Sequence, residues 1–220
     1  MLNQVVIVGP KFSNFVRSVM LCCEEKGIGY TAGMEVRGVA IEYKSDEHFA
    51  LHPSGKFPVL CHDVNDRAYT LFETGPICRY LDMMFEGVSL QPADIAMRMQ
   101  VDQWTQYISI EADKAIMRDY MLEFKSPTGD NGAINVARLQ AATPAIEHVL
   151  SVLEKTLGDK PFLCSDRYTT ADALLTPMLD YLANTPTADQ LLPQQSELRA
   201  YIERMRQRPS GQTVLVNVTL

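Results

Sequence analysis

The sequence predicts two domains: an N-terminal α/β domain at residues 1–84 and an all-α helical bundle domain at residues 92–220. A strand, helix and strand pattern opens the chain, a predicted hairpin and a further helix follow it, and helical patterns dominate beyond residue 92. The 220 residues, of which 46% are hydrophobic and 21% charged, have an ordinary globular composition. We therefore expect each domain to bury a core of its own.

A β-α-β unit accounts for the first third of the chain. Val5 to Val8 is a β-branched run closed by Gly9-Pro10, which is typical of a buried strand ending in a turn. Apolar residues then recur at helical spacing from Ser13 to Lys26, with Ser13 at the N-terminal edge of the helix. Tyr30 to Val36 is predicted as a second strand, so the sheet is at least partly parallel.

A hairpin and a helix complete the predicted α/β domain. A short helix over Asp46–Leu51 must end at His52-Pro53, because the residue before proline is pushed out of the helical region. Val59–His62 and Ala68–Phe72 read as two strands joined by a polar turn. A helix then runs from Glu73-Thr74 through Met83, with a proline tolerated in its first turn.

The second half of the chain is predicted to be a helix bundle. Pro144 and Pro177 fall inside proposed helices, where we expect kinks or helix starts. A loop over Ser126–Gly132 separates the first two helices, and a Thr/Val-rich tail ends the chain. The helices are predicted at Ala93–Arg118, Asn135–Thr156, Thr170–Asn184 and Glu197–Arg208.

Charge and cysteine content narrow the classes of function. A formal charge of -7 repels phosphate backbones and anionic lipids, so we expect neither nucleic acid nor membrane as a partner. The first residues lack the features of a signal peptide, and we expect a cytoplasmic protein whose five cysteines are free thiols. Because the sequence has no C-x-x-C pair and no Cys/His cluster of zinc-finger type, metal chemistry and dithiol redox chemistry both lack ligands. We expect no metal, and we also expect no cofactor.

Three segments in order resemble the glutathione S-transferase family. They are Ser13-Asn14-Phe15-Val16-Arg17, the stretch from Leu51 to Leu60 that contains His52-Pro53-Ser54-Gly55-Lys56-Phe57-Pro58, and the stretch from Phe72 to Leu81 that begins Phe72-Glu73-Thr74. The first resembles the start of the serine-type classes, such as tau, theta and delta. His52, Thr74 and Gly75-Pro76 depart from the usual residues, yet none of these changes removes a required hydroxyl or carboxylate. We interpret the chain as a bacterial member.

A fourth segment, Arg167 to Asp172, is similar to the F-S-x-A-D box of the family's helical domain. Thr169 and Asp172 have the spacing of a capping box, in which the two residues satisfy free amides at the start of a helix. Its role is in folding. The resemblance as a whole implies a thioredoxin-like N-terminal domain followed by the helical one.

The resemblance also implies a glutathione site. Ser13 would donate a hydrogen bond to the thiolate, although the same residue could serve only as a helix cap. Glu73 would hold the α-ammonium group and Thr74 the γ-glutamyl carboxylate. Lys44 and Lys56 would reach the glycyl carboxylate, although surface lysines are usually just solvated charges. Phe57 would pair its backbone with the cysteinyl group, positioned by a cis Phe57-Pro58 bond.

The electrophile site is expected between the domains, with Phe12, Trp104 and Tyr107 as candidates. The predicted activity is detoxification, in which the glutathione thiolate is conjugated to small apolar electrophiles. A glutathione peroxidase side activity is compatible with this prediction. A thiol-disulfide reductase and a non-catalytic adaptor are the alternatives. The reductases carry Cys where this chain has Ser13. The resemblance further implies a homodimer.

Overall fold

The computed structural model describes residues 4–65 and 67–215, and the chain divides into two compact units, Met1–Gln91 and Pro92–Leu220. The first unit holds a four-stranded mixed sheet with helices, and the second is helical, which confirms the predicted fold class. The elements of the first unit are β1 (Gln4–Val8), α1 (Asn14–Lys26), β2 (Tyr30–Gly33), β3 (Glu35–Val36), β4 (Val39–Ala40), α2 (Asp46–Leu51), β5 (Val59–Val64), β6 (Arg67–Phe72) and α3 (Thr74–Met84).

The main sheet has the strand order β2-β1-β5-β6. β1 pairs in parallel with β2, as the β-α-β prediction requires, and antiparallel with β5, which pairs antiparallel with β6. α1 packs against α3, and their buried faces include Val19, Ile77 and Leu81. Because β1 is central and buried, the β-branched run at its core holds the sheet in one register.

The strand predicted over Tyr30–Val36 is wrong in its extent. Pairing with β1 stops at Gly33, and Glu35–Val36 turns back to pair with Val39–Ala40 in a separate two-stranded sheet. Arg37 and Gly38 at the turn both have positive φ, of 51° and 78°. Such a turn matches the twist of a tight hairpin, and the Gly at its second position was the available signal for it.

The second unit is helical in all the regular structure that the described residues contain. Pro144 and Pro177 lie in the interior of α6 and α7, so the alternative that they begin helices is wrong. Thr213 and Val214 of the Thr/Val-rich tail belong to a helix, and residues 216–220 lie outside the described part. The helices are α4 (Ile95–Tyr107), α5 (Leu122–Lys125), α6 (Val136–Leu157), α7 (Thr170–Ala183), α8 (Ala188–Leu191), α9 (Glu197–Gln207) and α10 (Pro209–Val214).

The first long helix differs from its prediction over Ala93–Arg118. It begins at Ile95, because Asp94 caps it by accepting a hydrogen bond from the Met97 amide at 2.9 Å. Between α4 and α5 the helix continues as a π-helix over Ile108–Met121. Helical backbone therefore extends seven residues beyond Arg118, to Lys125.

Ion pairs in this π-helical segment have a spacing that an α-helix does not support. Arg118 Nε lies 2.8 Å from Asp113 Oδ2, and Lys114 pairs with Asp119. Each pair is five residues apart, which is the spacing of the backbone hydrogen bonds of a π-helix, whereas neighbours on an α-helix are three or four residues apart. The charge pattern therefore carried a signal for the wider helix.

Asp172 organises the start of α7 from a fully buried position. Its carboxylate accepts hydrogen bonds from the Thr169 amide and hydroxyl, both at 2.8 Å. It also accepts from the Leu163 amide at 2.8 Å and from the Tyr201 hydroxyl at 3.0 Å. The predicted contact from Asp172 back to the Thr169 amide is confirmed, and the buried carboxylate is fully hydrogen bonded.

Glu123 performs a similar task at the end of the long helix. Its buried carboxylate accepts hydrogen bonds from the Thr128 amide at 2.8 Å and the Asn135 amide at 2.7 Å, and it pairs with Arg138 at 3.1 Å. The two backbone amides lower the pKa of Glu123 to about 2. Four donors held by one carboxylate fix the loop that joins α5 to α6.

We expect Glu123 to make the free energy of unfolding depend on acid pH. Because its folded pKa of about 2 lies below the ordinary value of 4.5, its stabilisation is complete above pH 4.5 and is lost as the pH falls toward 2. Urea midpoints of the wild type and Glu123→Gln should differ most at neutral pH and converge on acidification. Exposed Glu147→Gln on α6 is the control. A difference that stays constant down to pH 3 would contradict this role.

Candidate functional site

One edge of the main sheet collects the predicted glutathione-binding segments. Val8 at the end of β1 pairs with Val59 at the start of β5, which pairs with Phe72 at the end of β6. The turn before Ser13 follows Val8, the Phe57-Pro58 bond precedes Val59, and Glu73 follows Phe72. Strand register thus places these three segments side by side.

Ser13 is the N-cap residue of α1, but its hydroxyl does not cap. The residue is extended, with φ −66° and ψ 130°, and its carbonyl accepts the Arg17 amide at 2.9 Å. Its side chain makes no hydrogen bond to the first turn and has no other partner among the described residues. The half-buried hydroxyl is thus left at the positive end of the helix.

Gly9 lets the turn before α1 approach Phe57. Its φ of 146° is disfavoured for other residues, and a Cβ at this position would lie 2.6 Å from Val16 Cγ2 and 3.0 Å from Phe57 Cβ. The Phe57-Pro58 peptide is cis, as the family resemblance implies. Phe57 makes no backbone hydrogen bond to another described residue. Its main-chain groups therefore remain available beside the Ser13 turn.

Glu73 and Thr74 lie where β6 meets α3. Glu73 has φ 68° and ψ 125°, a backbone conformation that non-glycine residues rarely adopt and that clusters at functional sites. Its side chain is exposed, whereas Thr74 is buried as the first residue of the helix. Helix α3 begins at Thr74, and the first amides of a helix have no partner within it, an arrangement suited to a carboxylate.

Lys44 and Lys56 lie on the two sides of a buried histidine. Both lysine side chains are exposed, and Lys44 Nζ lies 5.3 Å from the centre of the Tyr43 ring. The Lys44 amide donates to His48 Nδ1 at 3.1 Å, and His48 Nε2 lies 3.0 Å from the Lys56 carbonyl. One imidazole therefore joins the backbones of both lysines.

Two histidines, His48 and His52, also belong to this region, and no role was predicted for either. His52 Nδ1 accepts the Ser54 amide at 3.0 Å, and its ring packs 4.9 Å from that of Phe72. Burial lowers the pKa of His52, while the nearby Glu73 carboxylate opposes that shift. Their spacing of four residues did not indicate these contacts, because the partners of the His48 ring lie on both sides of α2.

The candidates for the electrophile site fall in both units. Phe12, in the first unit, is exposed. Trp104 and Tyr107, in the second, pack edge to face with ring centres 5.3 Å apart. Burial raises the pKa of Tyr107, with a smaller effect from Glu111. The electrophile site that these residues would form stays a prediction.

All five cysteines are free thiols, as predicted, and all but Cys164 are buried. Across residues 4–65 and 67–215, no three His, Cys, Asp or Glu side chains are grouped as metal ligands. None of the helices in the described part of the chain has the length and apolar character that a membrane span requires.

Comparisons with known proteins show the family of this chain. The profile "Glutathione S-transferase, N-terminal domain" matches residues 12–84, and "Glutathione S-transferase, C-terminal domain" matches residues 116–209. "Probable glutathione S-transferase GSTF1" from Oryza sativa subsp. japonica is 27% identical over 212 residues, covering 95% of this chain and 94% of its own. Glutathione S-transferase GstA of Escherichia coli O157:H7 is 28% identical and covers 77% of each chain.

Solved structures share the fold. The theta class glutathione S-transferase from Xanthomonas axonopodis pv. citri, solved with glutathione bound, has a TM-score of 0.79 and 26% identity over 99% of both chains. Glutathione transferase F7 from Populus trichocarpa has a TM-score of 0.80 at 22% identity, covering 97% of this chain and 100% of its own, and supports the fold alone. Because plant and bacterial proteins both match, the bacterial origin stays a prediction. Profiles, relatives and fold agree that this chain belongs to the glutathione S-transferase family, with its thioredoxin-like N-terminal fold and helical C-terminal fold.

Proposed function

We propose that this glutathione S-transferase joins the thiolate of glutathione to small apolar electrophiles, with Ser13 as the hydrogen-bond donor to the sulfur. The observation that carries the proposal is the uncommitted Ser13 hydroxyl at the positive end of α1, on the sheet edge that also holds Phe57 and Glu73. A serine that only capped the helix would use its oxygen on the first-turn amides.

The energetic demand on Ser13 is modest. A free thiol with a pKa near 8.5 is only a few per cent thiolate at neutral pH, yet the thiolate is the nucleophile. Each unit by which the bound thiol pKa falls needs about 1.4 kcal/mol of preferential stabilisation of the anion. One hydrogen bond to a charged group is worth about 1.5–3 kcal/mol, which is enough for one to two units.

The remaining residues match the charged groups of glutathione. Exposed Glu73 pairs with the α-ammonium, and Thr74 with the free amides at the start of α3 receives the γ-glutamyl carboxylate. Lys44 and Lys56 attract the glycyl carboxylate. Phe57 offers backbone groups to the cysteinyl part in strand-like pairing. All of these residues lie in the proposed glutathione-binding domain, residues 1–84. Residues 92–220 form the proposed helical domain.

The thiol-disulfide reductase alternative lacks a reactive cysteine near Ser13. Cys22 and Cys23 are fully buried in α1. A hydrogen bond with Cys78, followed by burial, raises the pKa of Cys22, and burial raises the pKa of Cys23. A buried thiol with a raised pKa is a poor nucleophile, which favours the transferase over the reductase.

The test of the proposal combines binding with turnover. Calorimetric titration should detect glutathione binding, and a panel of halogenated aromatics, enals, isothiocyanates and hydroperoxides should include at least one substrate. Turnover of the hydroperoxides would add the peroxidase side activity. Glutathione binding without turnover of any member would favour the non-catalytic adaptor. Absence of glutathione binding would overturn the proposal.

Glu73→Gln should raise the KM for glutathione by about tenfold while leaving kcat nearly unchanged. The carboxylate holds the ammonium group equally in the ground and transition states, so its loss weakens binding without slowing chemistry. Initial rates across glutathione concentrations measure both constants, with exposed Glu35→Gln on β3 as the control. A large fall in kcat at unchanged KM would mean instead that Glu73 helps to ionise the thiol.

We further infer that the active form is a cytoplasmic homodimer that needs glutathione as co-substrate and no cofactor. Large apolar side chains are exposed on α3 and α4, with Met83 at 79% and Ile95 at 73%, and paired chains would bury such surface. Two-fold dimers are also the commonest closed assembly. Light scattering at low micromolar concentration should give twice the mass of one chain. A fully active monomer would contradict this inference.

A further inference from the structure

The His48 side chain is fully buried inside the segment that carries Lys44, Lys56 and Phe57. The Ser45 hydroxyl caps α2 by accepting the His48 amide at 3.2 Å, which fixes the backbone from which the ring projects. The ring is stacked on that of Phe57, with centres 4.0 Å apart and planes inclined by 11°. His48 therefore contacts three residues that the proposed function assigns to glutathione.

The hydrogen bonds of His48 determine its tautomer. Nδ1 lies 3.1 Å from the Lys44 amide, which can only donate, so Nδ1 is the acceptor and carries no proton. The partner of Nε2 at 3.0 Å is the Lys56 carbonyl, which can only accept, so Nε2 carries the proton. Both ring nitrogens are thus used to join two backbone positions that are twelve residues apart.

The joined positions need this support. Lys44 has a positive φ of 62°, a conformation that costs free energy for a lysine and persists where neighbouring contacts hold it. The Lys44 side chain projects from that strained backbone. Lys56 immediately precedes Phe57, whose ring stacks on His48. The imidazole holds together the two backbone positions from which the lysine side chains project.

We propose that His48 is a positioning residue that aligns Lys44 and Lys56 for the glycyl carboxylate and so makes the enzyme prefer thiol substrates with an anionic glycyl end. This inference rests on the proposed function and deepens it, because it assigns the source of selectivity for one end of glutathione. His48 touches no substrate. Its effect passes through the two lysine backbones and the Phe57 ring.

Three substitutions separate the contacts of His48. His48→Phe keeps a stacked ring and removes both hydrogen bonds, His48→Asn keeps an acceptor near the position of Nδ1, and His48→Gln keeps a donor near the position of Nε2. Exposed His148→Gln on α6 is the control for the substitution itself. KM and kcat are measured with glutathione and with its glycyl monoethyl ester, which differs by the loss of one charge.

We expect His48→Phe to raise the KM for glutathione by about tenfold and the KM for the ester by less than about twofold, with kcat nearly constant. Asn and Gln should give intermediate shifts. The preference of the wild type for glutathione over the ester should therefore shrink. Equal shifts for both thiols, an unchanged KM, or a fall in kcat alone would overturn the positioning role.

A measurement on the wild type keeps the inference testable if His48→Phe does not fold. Nitrogen NMR of His48 should show an unprotonated Nδ1 and a protonated Nε2, and the Lys44 amide should exchange slowly with solvent. Glutathione, but not its ester, should shift the Lys44 and Lys56 signals together. Independent shifts or the opposite tautomer would overturn the inference. Absence of wild-type glutathione binding would overturn the proposed function and this inference together.

Discussion

Ser13→Ala is expected to lower the rate of glutathione conjugation by about 10- to 150-fold at pH 7 while changing glutathione binding far less. The substitution removes the hydroxyl proposed to stabilise the thiolate, and a hydrogen bond to a charged group is worth about 1.5–3 kcal/mol. The bound thiol should then ionise at higher pH. Thiolate absorbance against pH, measured alongside kcat and KM, tests both effects.

Ser196→Ala is a matched control for Ser13→Ala. Ser196 is the N-cap residue of α9, and its hydroxyl accepts the Leu198 amide at 3.2 Å and donates to Glu154 at 2.9 Å. Its removal should cost about 1 kcal/mol of stability and leave the thiol pKa unchanged. Ser13, which makes no cap hydrogen bond, should show the reverse pattern. If Ser13→Ala keeps both its activity and its bound-thiol pKa, backbone amides or Asn14 must ionise the thiol.

Ser13→Cys should move the enzyme toward mixed-disulfide chemistry with glutathione. The helix N-terminus lowers the pKa of a cysteine placed there, which makes it a nucleophile toward disulfides. Mass spectrometry after incubation with oxidised glutathione should find the adduct on residue 13. The buried native cysteines should stay unmodified in the wild type.

Much of the fold could be predicted because local sequence and tertiary structure agree. The β-branched run of β1, the Ser13 edge of α1 and the capping pair Thr169 and Asp172 each specify an element through nearby residues. The split after Gly33 depends on pairing within a separate hairpin. The π-helix over Ile108–Met121 was not predicted, because apolar spacing indicates a helix without fixing the width of its turns, and ion pairs five residues apart are the local sign of it.

The candidate site was predictable where one residue carries its own chemical signature. Ser13 and Glu73 stand at element boundaries beside recognisable motifs, and the sheet register brings their segments to one edge. His48 had no such signature. Its position depends on the Lys44 amide and the Lys56 carbonyl, which lie on either side of α2, and on a ring stack with Phe57. None of these contacts follows from residue spacing.

Asp82→Ala is expected to destabilise the protein by about 3–5 kcal/mol, because it leaves a buried lysine without its counter-ion. Lys26 Nζ at the end of α1 lies 3.0 Å from Asp82 Oδ1 on α3, and the two side chains are only 1% and 6% exposed. Asp82 also accepts the Leu90 amide at 2.7 Å, and Lys26 also donates to the Val88 carbonyl at 3.1 Å. The Lys26–Asp82 ion pair thus links α1 to α3 and binds the backbone of the segment that follows α3.

Asp63→Ala is the control, because its ion pair with Arg37 joins side chains that are 45% and 44% exposed. An exposed pair contributes about 0–1 kcal/mol, so this variant should lose far less stability in urea. The double variant Lys26→Met with Asp82→Leu removes both charges and should recover much of the loss, since a buried pair can often be replaced by apolar residues. Its recovery should stay incomplete because the Leu90 amide loses its acceptor. Equal effects of Asp82→Ala and Asp63→Ala would mean that water reaches Lys26 and that burial does not make this pair costly to break.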